Sequence, residues 1–236
     1  MSVQSLQIPV AAAVKEAPVT SATLLGLAKD HRLKHTQVDS AQTIRHWDRD
    51  SRTYCYQTHI AISGQAGDRL PWLLDVLYTA NSSKAQPWYE QFLSGVCLPC
   101  DAIPQSGIAA HQLSVGCFDL GLPAPRCYRQ LVSRTPIESG ACAIVARSID
   151  SGPPTPAGAR LAYTLGPNGE VLHWEGGCLH WHHICCTPGA ALLPASPDRW
   201  LINGLRRLGL DNAERKTYRL EAEKMRDWLQ APGLAR

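Results

Sequence analysis

Apolar and polar residues alternate through the middle of the chain and take helical spacings near its ends. From Thr20 to about residue 32, Leu24, Leu25, Leu27 and Ala28 gather on one side of a helix, with Thr20 or Ser21 as its N-cap. Residues 1–18 hold Val, Ala and two prolines without a sustained stripe, and are read as a flexible N-terminal arm. Two runs rich in aromatic and β-branched residues, Thr43–Trp47 and Tyr54–Ile62, flank the polar Asp48-Arg49-Asp50-Ser51 and predict a β-hairpin. Leu70–Leu77, with Pro71 in its first turn, and Pro87–Leu93 predict two short helices. Further strand-like runs follow at Ile108–Val115, Cys127–Arg134, Ala141–Ile149, Ala159–Leu165, Val171–Trp174 and Cys178–Cys186, and the short gaps between them favour antiparallel connections. After Pro188 the spacing is helical again, first through Trp200, Leu201, Leu205, Leu208 and Leu210. It continues from Asn212 to Leu229, where Tyr218, Leu220, Met225 and Trp228 stand among many charges. The sum is an α+β arrangement, read as a single domain over residues 19–232.

Composition narrows the class. At 236 residues the chain has room for one generous domain, and 44% hydrophobic against 18% charged residues describes a packed globular protein. The net charge of +3 comes from scattered basic residues, so nucleic acid is not expected as a partner. Nine cysteines, an odd number at irregular spacings, read as mostly buried thiols in a reducing compartment, which places the protein in the cytoplasm. Neither a membrane-spanning run nor a secretory leader is legible. No Gly-x-Ser-x-Gly elbow, Walker loop or dinucleotide fingerprint is present, and no cofactor is expected.

Several segments, in order, resemble the StAR-related lipid transfer (START) family. Pro87-Trp88-Tyr89 is similar to the family's Trp-bearing segment ahead of the middle strands. Gly121-Leu122-Pro123-Ala124-Pro125-Arg126-Cys127-Tyr128 is similar to its glycine-proline turn followed by Arg and an aromatic. Gly140 to Ser148 resembles its small-residue strand, which enters a proline loop, here Pro153-Pro154-Thr155-Pro156, before Gly158-Ala159-Arg160. A last strand, a loop with Pro194 or Pro197 and an amphipathic helix complete the likeness, which spans about residues 40–230. The resemblance implies a helix-grip fold, in which a curved antiparallel sheet wraps around a long C-terminal helix. It also implies an internal tunnel that holds one sterol, phospholipid or other apolar ligand for transfer or presentation, with transient contact at a membrane surface. Sterol-binding members use an Arg after the proline loop, and the matching position here is Arg160. The family's acidic partner falls near Gly116 or Cys117, neither of which is acidic, and the nearest carboxylate in sequence is Asp119.

The residues expected to line that tunnel are Arg160, Arg147, Cys142, Ile144, His180, His182, Trp200, Leu201 and Leu205. The most unusual stretch is Cys178-Leu179-His180-Trp181-His182-His183-Ile184-Cys185-Cys186, where strand alternation puts Cys178, His180, His182, Ile184 and Cys186 on one face. Thiolate and imidazole suit zinc or copper, but a closed site needs a second element, and nothing in the sequence places Cys97-x-x-Cys100 beside His180. No metal site is assigned on these grounds. The alternative function is an enzyme on the same fold, a cyclase or isomerase acting on a polyketide or terpenoid. In that reading the candidate acid/base groups are His180, His182, His111 and His59, all on predicted strands.

Overall fold

The computed structural model describes residues 9–29, 33, 37–49, 53–63, 70–78, 92–100, 110–119, 124–137, 141–152, 154–162, 168–186 and 211–231. The strands are β1 (Gln42–Asp48), β2 (Thr53–Ile62), β3 (Phe92–Pro99), β4 (Ala110–Phe118), β5 (Arg126–Ile137), β6 (Ala141–Ser148), β7 (Arg160–Ala162), β8 (Asn168–Glu175) and β9 (Cys178–Cys185). The helices among these residues are α1 (Val10–Ala28), α2 (Leu70–Tyr78) and α3 (Asp211–Gln230). One sheet runs in the order β1-β2-β9-β8-β6-β5-β4-β3, antiparallel throughout, with β7 parallel to β5. The β2–β9 pairing joins the early hairpin to the end of the strand run, so the sheet unites residues more than a hundred positions apart.

Alternation along each strand gives the sheet two faces with different covers. On one face Ile60 and Ile62 of β2, Val132 of β5, Cys142 and Ile144 of β6, Leu172 of β8, and Leu179 and Trp181 of β9 pack with Leu73 and Leu77 of α2 and with Ala222, Met225 and Leu229 of α3. On the other face Cys55, Ala143, Val145, Val171 and Ile184 pack against Leu24 and Ala28 of α1. The sheet is therefore the middle layer, with α1 behind it and α2 and α3 in front. Gly169 makes the close approach at β6 possible: its φ is +156°, and a Cβ there would lie 2.0 Å from the Ile144 carbonyl oxygen and 2.9 Å from Leu24.

Several expected elements differ. The first helix begins at Val10 rather than Thr20, so the second half of the stretch read as an arm is helical. Ala13 and Ala17, both 2% exposed, continue the stripe of Leu24 and Ala28 toward the N-terminus, a run of small residues easily read as featureless. Phe92 and Leu93, expected to close a short helix, begin the edge strand β3; the rest of that segment, residues 87–91, lies outside the described residues. Cys117 and Cys127 stand opposite one another on β4 and β5 and are joined as a disulfide, while the other seven cysteines are not disulfide-bonded.

Candidate functional site

The inward stripe of α3 changes character along its length. Toward the C-terminus it is apolar, with Ala222, Met225 and Leu229 at most 2% exposed. Toward the N-terminus the same stripe carries Glu214, Tyr218 and Glu221. These three meet a polar patch on the sheet made by Tyr56 of β2, Glu170 of β8, and His183 and Cys185 of β9. The Tyr56 hydroxyl donates to Glu214, and the Tyr218 hydroxyl donates to Cys185 Sγ at 3.4 Å. The Tyr218 ring lies 5.4 Å from that of Tyr56 and 5.7 Å from that of His183.

At the centre His183 Nδ1 and Glu170 Oε1 are 3.0 Å apart, with side chains 11% and 10% exposed. Burial pushes the His183 pKa down, but the Glu170 carboxylate and hydrogen bonds to Cys185 and Glu170 reverse this and hold it well above 6.5. The imidazole is therefore a cation donating to Glu170, and the pair satisfies a charge that would otherwise be costly to bury. Burial likewise pushes the Glu221 carboxyl up to about 7, against the nearby His183. Among the described residues of β8 and β9 on this face, two buried polar atoms make no hydrogen bond: Glu170 Oε2, an acceptor, and Trp181 Nε1, a donor.

The far end of α3 is latched to the sheet. Asp39, with φ 61°, accepts from the Ser63 backbone N–H at 3.0 Å, the Ser63 hydroxyl and the Gln230 amide at 2.9 Å. Arg226 donates to the Asp39 carbonyl.

Of the residues expected to line a tunnel, Cys142 and Ile144 do lie on the α3 face, at 9% and 3% exposure, and burial raises the Cys142 thiol to about 11. Trp200, Leu201 and Leu205 fall outside the described residues. The others lie elsewhere. Arg147 is on the α1 face and pairs with Glu16 at 3.3 Å. Arg160 is exposed on β7, as is Asp119 after β4; the buried arginine of this region is Arg126, which donates to the Ala124 carbonyl at 2.7 Å. His59, His111, His180 and His182 all belong to the face away from α3, since their partners across the strands place them there with Cys55 and Ile184. His111 bonds Ser133 at 2.8 Å. The histidine that does face α3 is His183, which the one-in-two alternation of the Cys/His stretch assigns to the opposite face from His180 and His182.

This arrangement of elements occurs in solved structures. Human StAR-related lipid transfer protein 5 matches at a TM-score of 0.61 and 13% identity, over 90% of this chain and 96% of that one. A StAR-related lipid transfer protein fragment from Xanthomonas axonopodis matches at 0.56 and 12%, over 83% and 97%. The lipid transfer and protein localization domain of human StarD13 matches at 0.55 and 13%, over 88% and 96%. No family model and no curated protein sequence matches the chain. At these identities the likeness is one of fold: the chain has the START, or helix-grip, fold, a curved antiparallel sheet with a C-terminal helix across it. No described helix is long and apolar enough to cross a membrane.

Proposed function

We propose that the protein binds one hydrophobic small molecule of lipid type between the sheet and α3, and carries or presents it without covalent chemistry. The observation that carries this reading is the pair of buried, unbonded atoms under α3, Glu170 Oε2 and Trp181 Nε1. A ligand hydroxyl can donate to the first and accept from the second, while its apolar body lies along Ile144, Leu172 and Met225. The names of the structural neighbours, lipid transfer proteins, support the same class of ligand. Exchange requires α3 to lift, and the Asp39 latch is the contact that resists it. We place the carrier in the cytoplasm, touching membranes transiently through basic positions of α3 such as Lys216 and Arg219.

The test is extraction of a fluorescent sterol and a fluorescent phospholipid from vesicles by the purified protein. Saturable extraction of one of them is expected, weakened about tenfold by Trp181→Phe, which removes the donor. Failure to extract either probe, or extraction indifferent to Trp181→Phe and Glu170→Gln, contradicts the reading.

One observation favours the enzymatic alternative. His183, protonated against Glu170 and facing the same space, is a proton donor in place, a role expected of other histidines from the sequence. An enzyme would lose turnover but retain ligand in His183→Gln, whereas a carrier has no turnover to lose.

A further inference from the structure

The face of the sheet away from α3 carries a cluster of imidazoles that ligand binding under α3 does not use. His173 of β8 and His180 of β9 are opposite one another in register, and His182 is opposite His59 of β2 in the next row. Glu175, two residues beyond His173, shares its face. One donor atom from each of His173, Glu175 and His180 falls within 4.8 Å of the others, and His173 Nε2 is 3.4 Å from Glu175 Oε2. His59 Nε2 lies 3.1 Å from His180 Nδ1.

One further observation points to a bound group at the cluster. His182, 3% exposed, stacks on His59 at 4.3 Å and on His173 at 5.4 Å, yet neither of its ring nitrogens makes a hydrogen bond. An imidazole buried without a polar partner is costly unless something at the cluster uses it.

We propose that His173, Glu175 and His180 bind one divalent transition-metal ion of the zinc type on this face of the sheet. Two imidazoles and a carboxylate are a donor set that suits zinc, and leave a fourth position for water. Tetrahedral ligation at about 2.0 Å per bond sets donor atoms about 3.3 Å apart, so donor atoms that lie within 4.8 Å of one another need to close by at most about 1.5 Å. His59, through its bond to His180, fixes the orientation of that ring, and is a positioning residue rather than a ligand.

The experiment uses full-length untagged protein, stripped with a chelator and titrated with zinc chloride by calorimetry, with metal content counted after dialysis. One zinc per chain is expected. Glu175→Gln and His173→Ala should each weaken binding at least about 100-fold, and His59→Gln about tenfold. His111→Ala, on the same face but outside the cluster, should leave zinc binding unchanged. The Glu175 side chain is 74% exposed, so Glu175→Gln separates a lost ligand from a lost fold. Cobalt in place of zinc should give a spectrum without sulfur charge transfer. Absence of stoichiometric zinc, retention of zinc by Glu175→Gln and His173→Ala, or a cobalt-sulfur band that puts the ion on cysteines would each overturn the proposal.

Discussion

Replacing Glu221 by glutamine isolates the carboxyl that α3 sets beside the His183 and Glu170 pair. Its carboxyl is raised from 4.5 to about 7 because burial disfavours the ionised form. A raised carboxyl favours the folded state in its protonated form, so the linked stability is fully present below pH 4.5 and is lost as pH climbs through about 7. The whole effect amounts to about 3 kcal/mol, most of which disappears between pH 5 and pH 8. Glutamine does not ionise, so Glu221→Gln should lack this dependence. Urea unfolding of both proteins across that range gives the difference in stability at each pH, and groups that titrate alike in both cancel. The variant should gain about 2 to 3 kcal/mol on the wild type from pH 5 to pH 8. A difference flat to within about 0.5 kcal/mol would refute the claim that Glu221 is buried against the His183 and Glu170 pair.

Three other perturbations test neighbouring parts of the structure. Glu170→Gln removes the carboxylate that keeps His183 charged, so burial should dominate and bring its pKa below 6.5; a ring titration followed by NMR that stays high would contradict the pairing. Asp39→Ala removes the acceptor shared by Ser63 and Gln230 and costs about 2 kcal/mol, with amide exchange speeding up in the last turns of α3 but not in β8 or β9; uniform exchange would mean that no latch exists. Gly169→Ala drives a methyl into the Ile144 carbonyl and should cost at least 2 kcal/mol, seen as a fall in Tm of about 5 °C or more, and an unchanged Tm would contradict the close β6–β8 approach.

Much of this architecture is legible in the residues, for physical reasons. The hairpin of β1 and β2, the run from β4 to β9 and the final helix follow from strong period-two or helical patterning, and the turn residues set their bounds within a few positions. The first half of α1 escapes because its buried face is alanine, which carries little hydrophobic contrast, and β3 escapes because it is an edge strand whose Leu93, Val96 and Leu98 are half exposed. The site is less legible. Alternation separates His180 and His182 from His183, but it cannot say which face meets the C-terminal helix, and the residues read as tunnel lining include His180 and His182, which lie on the face away from α3. That choice is made by distant pairing, with β2 bringing Tyr56 and Ile60 to the α3 side and His59 to the other. Likewise the imidazole cluster needs His173, which stands alone on β8 until β9 folds against it.

The most direct test of the account is native mass spectrometry of untagged protein, followed by denaturation and identification of whatever leaves. One organic molecule of several hundred daltons per chain, bearing a hydroxyl or similar polar group and lost from Trp181→Phe more readily than from wild type, is the predicted result. A chain that stays at its bare mass after incubation with sterol and phospholipid vesicles would contradict the claim that a lipid lies beneath α3.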